Sequence, residues 1–222
     1  NEHFLKLPNN YLFSDIAKTA EKRHHYIELI YQNACSLEKL VDRLFLFSKL
    51  DLGQVDFALE TVSLRDYFAD FTAENAPLFS ERGLILNYEA PTEEARVRID
   101  RMQFQRVIDN LLENALKYKD TDTVAMDIKL EATPVQVTLS FADHGPGVPK
   151  VYLTKLFDSF YRTDEARTDV KKGSGLGLAI VKQIIATLKG RIYAAETPGG
   201  GLTVVITLPA AEEDNHEIDS NH

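Results

Sequence analysis

From Thr19 to Asp51, apolar and small side chains return at alternating steps of three and four: Ile27, Ile30, Ala34, Leu37, Val41, Leu44 and Ser48, with Leu40 and Phe47 widening the stripe. That spacing predicts one long amphipathic helix, whose apolar face needs a partner, either its own domain or a second helix bundle member. Residues 53–62 then read as a linker. Ser63, with Asp66 at the third helical position, caps a helix expected to run to about Arg82, where Gly83 ends it. Further on, the pattern predicts strands near 84–89 and 96–99, a helix over 101–118 and two alternating strands within 123–143. A helix over 174–189 and strands near 191–196 and 202–208 follow, the last pair joined by a hairpin turn in ETPGGG. No internal repeat is evident. The order implies an α+β chain: an N-terminal helical segment, then an α/β sandwich with helices on one face of a mixed sheet.

The helix over 101–118 has two unlike faces. Phe104, Val107, Ile108, Leu111, Leu112 and Ala115 share one side, while Gln103, Arg106, Asn110, Asn114 and Lys117 fall on a narrow polar stripe. Such a stripe is either a solvated surface or a face turned to a ligand. For a ligand, the two asparagines offer neutral amide oxygens of the kind Mg²⁺ accepts, and Lys117 offers a point charge to phosphates.

In VQVTLSFAD, Val135, Val137, Leu139 and Phe141 alternate with Gln136, Thr138 and Ser140, so Asp143 continues the apolar face. A carboxylate directed inward needs donors, because burying it unpaired costs several kcal/mol. An adenine amino group is one candidate donor; a turn capped by Asp is the plainer alternative. Gly145 and Gly147 follow at once, where the missing side chains let the backbone turn and approach a flat base.

GSGLGLAIVKQIIATLKG opens with Gly173, Ser174, Gly175, Leu176, Gly177 and Leu178, then becomes an amphipathic helix. Loop amides at a helix start attract phosphate. Leu178 stands where a Rossmann fingerprint needs its third glycine, and the Gly-Lys-Ser/Thr of a Walker loop is absent. A glycine-rich turn alone is weak evidence. In order behind the Asn-bearing helix and DHGPG, with FDSFYR between, it describes an ATP site.

Taken together, residues of about 100–208 resemble the catalytic ATP-binding domain of sensor histidine kinases, of the Bergerat-fold group that also includes gyrase, Hsp90 and mismatch-repair ATPases. NLLENALKY resembles the N box, DHGPG the first G box, FDSFYR the F box and GSGLGL the second G box. The resemblance implies that Asn110 and Asn114 hold Mg²⁺, Lys117 touches phosphate, Tyr118 packs on adenine and Asp143 reads its amino group. Gly145, Gly147, Phe160, Arg162 and the stretch from Gly173 to Leu178 would complete the nucleotide site, with Phe157, Phe160 and Arg162 bordering a lid over 163–172. The ATP-hydrolysing relatives carry a glutamate where Asn110 sits, and an amide cannot accept a proton from water. Asn110 therefore argues for phosphoryl transfer to a protein side chain, for which neutral histidine serves well. The long helix resembles the second helix of the dimerisation and phosphotransfer domain, ending in FLFSKLD. That likeness implies a homodimer through a helical bundle over 1–52, a linker over 53–62, a catalytic domain over 63–209 and a response-regulator receiver domain as the phosphoryl acceptor. The different-class alternative is an ATP-binding dimeric scaffold or phosphatase without an acceptor histidine.

Composition narrows this little further. A formal net charge of −9 over 222 residues gives no support to nucleic acid as a partner. Cys35, lying among apolar neighbours, reads as a packed thiol. No run reaches the length of a membrane span, so a cytoplasmic module is expected, tied to a membrane only through segments outside the chain. Residues 210–222, AAEEDNHEIDSNH, read as an acidic disordered tail.

The acceptor is the place where the chain departs from the family. HFLKLP offers His3, Lys6 and Pro8 at the family's offsets, but Phe4 replaces the acid that would act as base. LFSDIA resembles the stretch leading into the acceptor, yet Lys18 stands where histidine belongs, and the first bundle helix has no room before the long one. The expectation is a segment carrying the acceptor missing near Ala17–Ala20, with His3 as the fallback. His144 reads as a variable loop position.

Overall fold

The computed structural model of the chain describes residues 20–162 and 174–211. Residues 17–19 of the expected acceptor region, His3, the lid, Gly173 and all but the first two residues of the tail lie outside the described residues. Helix α1 runs over Ala20–Asp51. The chain divides into two compact units, one ending at Phe45 and the other beginning at Leu46.

Among the described residues of the first unit, α1 is a single helix whose apolar stripe is exposed. Ile27, Ile30, Leu37, Val41 and Leu44 are exposed by 64, 56, 61, 55 and 46%. His24 and His25 are exposed near its start, and Cys35 is only partly covered.

The second unit takes in the last turn of α1, where Leu50 is buried and Leu46 and Phe47 pack against the core. Residues 53–62, read as a linker, end in a strand: β1 (Glu60–Ser63) pairs antiparallel with β3 (Arg96–Ile99), matching Val62 to Val97, and both valines are buried. Four residues with one buried side chain are too short for a periodicity to show. Helix α2 (Leu64–Glu81) starts at Ser63, whose hydroxyl accepts from the Asp66 N–H at 3.3 Å. It ends at Arg82, and Gly83 turns the chain at φ +82°. Both ends fall where the capping residues placed them.

Strand β2 (Leu84–Glu89) runs parallel to β4 (Val124–Ala132), and β4 pairs antiparallel with β5 (Gln136–Asp143). With β6 (Arg191–Glu196) and β7 (Leu202–Pro209) they form a mixed sheet in the order β2-β4-β5-β7-β6. Helices α2, α3 (Arg101–Tyr118) and α5 (Gly177–Thr187) bury their apolar faces with the inward residues of this sheet in one core; α4 (Lys150–Leu153) is a single turn. Phe68 is at its centre, with the rings of Tyr67, Phe71, Tyr88, Phe104 and Phe141 between 5.4 and 6.4 Å away, mostly edge to face. Helices on one face of a mixed sheet are the expected α/β sandwich. The expected helix over 174–189 is shorter, because residues 174–176 form the turn that introduces it.

Candidate functional site

Asp100 starts α3 and ties it down twice. Its Oδ1 accepts from the Gln103 N–H at 3.0 Å and its Oδ2 from the Ala58 N–H at 2.9 Å, so the side chain is buried with two donors. The apolar face of α3 is buried as its spacing predicts, from Phe104 to Ala115. The polar stripe is not uniform. Gln103, expected on the ligand side, is 4% exposed, and its Oε1 has no hydrogen-bond partner among the described residues. The first turn of α3 is covered on that side, and the open stripe begins further along.

Asn110 is half-buried two turns after Gln103. Its amide nitrogen donates to the Arg106 carbonyl at 2.7 Å, which fixes the rotamer and leaves the oxygen facing outward from the helix. That oxygen looks at the glycine turn: a Cβ on Gly177 would lie 2.8 Å from Asn110 Oδ1. Two motifs separated by more than sixty residues of sequence thus share one wall, and Gly177 is glycine because the asparagine occupies the space. At the other end of α3, the Lys117 ammonium sits 4.8 Å from the Tyr118 ring centroid. Burial raises the Tyr118 hydroxyl above its ordinary pKa, and the positive charge of Arg162 opposes the rise, placing the end of FDSFYR near the end of α3. Asn114 lies half-buried between them on the same helix.

Asp143 ends β5 opposite buried Met126 and continues the inward face, as the alternation predicts. Its Oδ1 accepts two backbone N–H groups, from Gly145 and from Leu202, each at 3.0 Å. One carboxylate oxygen is therefore held by two backbone amides, and the other has no hydrogen-bond donor among the described residues. Gly147, at φ +73°, packs so closely on the β6–β7 hairpin that a Cβ would come 2.9 Å from the Gly201 carbonyl oxygen. At Gly201 a Cβ would fall 1.9 Å from the Asp143 carbonyl oxygen, at φ +116°. The hairpin is thus a wall of the site. The sequence marks ETPGGG as a turn only; three successive glycines, more than a hairpin needs, are the signal of the closer packing.

Phe157, Phe160 and Gly175 fix the described residues on either side of 163–173. Phe157 is buried in the core, whereas Phe160 is 57% exposed and holds φ at +62°, a left-handed conformation that an aromatic residue rarely adopts. Its N–H donates to the Gly175 carbonyl at 3.1 Å, and a Cβ on Gly175 would lie 2.8 Å from the Tyr161 carbonyl oxygen. The residues flanking 163–173 on either side are therefore bonded to each other. Ser174 accepts from the Leu176 N–H at 3.4 Å, Leu176 is fully buried and Leu178 packs on the core, which sets the start of α5 beside Asn110.

His144 is not a free loop position. Its ring nitrogen lies 2.7 Å from Asp127 on β4, on the face of the sheet away from the helices.

Residues 99–212 match the family model described as histidine kinase-, DNA gyrase B-, and HSP90-like ATPase. Among curated relatives, the signal transduction histidine-protein kinase BaeS of Escherichia coli K12 is 36% identical over 82% of this chain and 39% of its own length. The sensor protein kinase WalK of Staphylococcus saprophyticus is 31% identical over 98% of this chain and 37% of its own. The chain thus spans about two fifths of the length of these relatives. Among solved structures, full-length ShkA in complex with AMPPNP has the same fold at TM-score 0.71 and 23% identity, covering 87% of this chain and 40% of that one. Histidine kinase ThkA in complex with response regulator protein TrrA follows at TM-score 0.66, with 20% identity over 87% of this chain and 53% of that one. No described helix is long and apolar enough to cross a membrane. Since the family model takes in every wall of the site, from α3 through the glycine turn to the β6–β7 hairpin, the chain belongs to the histidine kinase-, DNA gyrase B- and HSP90-like ATPases.

Proposed function

We propose that the chain binds MgATP at this site and, as part of a sensor histidine kinase, drives phosphorylation of a histidine and onward transfer to an aspartate of a response-regulator protein. The observation that carries the reading is the Asp143 carboxylate. It points inward at the end of β5, with Oδ1 satisfied by the Gly145 and Leu202 amides and its neighbours reduced to glycine. A flat base carrying an exocyclic amine suits the remaining oxygen, and the glycine neighbours let it approach the backbone. The names of the curated relatives and the AMPPNP in the ShkA structure support the same ligand and activity.

The residues present suit the metal as well. Asn110 turns its amide oxygen to the space between α3 and the glycine turn, and Asn114 lies one turn along. Neutral oxygens of this kind suit an ion that binds mainly through phosphates and water. When bound, Mg²⁺ neutralises phosphate charge. Lys117 and Arg162 add positive charge at the same end of α3, so the domain works by holding the phosphates and balancing their charge. Asn110 offers no general base for water, which favours transfer over hydrolysis.

Dimerisation through α1 belongs to this reading, and the uncovered stripe from Ile27 to Leu44 supports it. A cytoplasmic site of action is part of the same reading. A chain without its acceptor histidine would act as a nucleotide-binding scaffold or phosphatase, and the departures from the acceptor motif around Ala17–Ala20 and His3 favour keeping that second reading. Incubation with γ-labelled ATP, then acid or base, separates the two. Acid-labile, base-stable label on the chain supports the kinase; MgATP binding without any label supports the scaffold; absence of binding contradicts both.

A further inference from the structure

We propose that His144 is a positioning residue for the nucleotide: its ion pair with Asp127, on the outer face of the sheet, pins the loop that carries Asp143 and makes nucleotide affinity depend on the charge of the imidazole. The proposal rests on the ATP reading of the site. Alternation along β5 sends Asp143 to the inner face and therefore sends the next residue, His144, to the outer one. The His144 N–H donates to the Ala125 carbonyl at 3.1 Å, extending the ladder with β4 one step past the last paired residue. From there its ring reaches the diagonal neighbour on β4, with Nε2 at 2.7 Å from Asp127 Oδ2. Asp127 Oδ1 in turn accepts from the Asn87 amide at 2.8 Å, and Asn87 is the residue paired with Asp127 in the parallel β2–β4 ladder. A chain of three side chains thus crosses β2, β4 and the end of β5, and its last member is bonded to the residue that would read the base.

Asp127 is suited to this role. The Asn87 hydrogen bond, and after it that of His144, hold its carboxyl below the ordinary carboxylate range, so it is a carboxylate that faces the ring. Protonation of His144 then turns a neutral hydrogen bond into a charge-assisted one. Competing charges on this face are few. Lys129, the next outward residue of β4, is engaged by Glu131 at 3.2 Å, and Glu89 of β2 is paired in register with Lys129. On the far side of β5, Ala142 is opposite Thr203 of β7, and Thr203 is opposite Ala195 of β6, so no charge enters from there. On the loop itself, Asp143 has Oδ1 committed to two amides.

The side chains of His144 and Asp127 are 41 and 48% exposed, which sets the size of the effect. A pair this open changes an affinity by about two- to fivefold, with the tighter binding on the acid side of the imidazole range. The test is the affinity of Mg-AMPPNP between pH 5.5 and 8.5, measured by calorimetry on the full chain, on His144→Gln and on Asp127→Asn, with thermal unfolding of each as a control. The phosphates of the ligand titrate identically in all three, so the readout is the ratio of variant to wild-type Kd. Both ratios are expected near one at pH 8.5 and at about two- to fivefold at pH 5.5, with the double variant no worse than either single one. Ratios that do not change with pH, or a double variant that is additively worse, overturn the pin while leaving the ATP reading standing. Absence of binding by the wild type overturns both.

Discussion

The backbone N–H of Leu202 donates to Asp143 Oδ1 at 3.0 Å across 59 residues of chain. This bond joins the start of β7 to the end of β5 on the side of the sheet that faces the helices, and a second N–H, from Gly145, uses the same oxygen. An asparagine in place of Asp143 would keep its carbonyl oxygen on those two amides, which forces its NH₂ toward the position of an incoming amine. We therefore predict that Asp143→Asn weakens ATP binding by roughly tenfold or more, the size of a lost charged hydrogen bond, with a small change in Tm. Calorimetry giving an unchanged Kd would remove Asp143 from the base-binding position.

Gly199 and Gly201 separate backbone strain from collision. Both have positive φ, +89° and +116°, but a Cβ on Gly199 meets nothing within 4 Å, whereas on Gly201 it strikes the Asp143 carbonyl oxygen. Gly199→Ala should cost about 1 kcal/mol from conformation alone. Gly201→Ala should cost several times that, lowering Tm by roughly 5 °C or more, and should reduce nucleotide affinity because the displaced atoms belong to Asp143. Equal Tm shifts for the two variants would refute the role given to the hairpin.

Much of this unit was legible because burial imposes a period. The apolar side of α3, the alternation of β4, β5 and β7, and the two ends of α2 follow from side chains whose positions are dictated by one neighbouring element. What the sequence hid depends on contacts between elements far apart. Gln103 lies on the polar stripe by angle yet is buried, because what covers the first turn of α3 is not written in α3 itself. Gly201 serves Asp143, and His144 serves Asp127, through register between strands, which the sequence does not display. Strand β1 is too short to carry a pattern, and its existence depends on β3 lying beside it.

Asn110 makes a different kind of prediction. Its own amide nitrogen is satisfied within the helix by the Arg106 carbonyl, and its oxygen would lie 2.8 Å from a Cβ on Gly177. Asn110→Ala should therefore leave the unfolding free energy within about 1 kcal/mol of wild type while abolishing most Mg²⁺-dependent phosphoryl transfer. Gly177→Ala should act on the same site by pushing a methyl against Oδ1. If Asn110→Ala transfers phosphate at the wild-type rate, its assignment to the metal is wrong.

Tyr67 gives a test by pH. Its hydroxyl donates to Gln105 Oε1 at 2.7 Å, and burial, with a smaller contribution from Asp109, pushes its pKa up to about 12. The unfolded phenol ionises near its ordinary value of 10.0, so the folded state is favoured below pH 10 and loses that advantage as pH rises through about 12. Tyr67→Phe should be less stable at pH 7 by about 1 kcal/mol, for the lost hydrogen bond. Between pH 10 and 12 it should lose less stability than wild type, so that the two converge in urea unfolding. Parallel curves across that range would mean the phenol is not held neutral by the fold.

The exposed stripe of α1 is tested by charge. Leu37 and Leu44 are 61 and 46% exposed on a helix whose apolar residues recur every three and four positions, a pattern that is costly to leave in water and inexpensive to cover with a second copy. Lysine at both positions would place two ammonium groups in such a seam, facing their symmetry mates. The wild-type chain is expected to sediment as a dimer at micromolar concentration and the Leu37→Lys/Leu44→Lys variant as a monomer. Neither residue is in the core that starts at Leu46, so the second unit of the variant should keep its Tm and its affinity for ATP. A wild-type chain that already sediments as a monomer would defeat the dimer, while a variant that loses ATP binding as well would show that these leucines support the second unit rather than a partner helix.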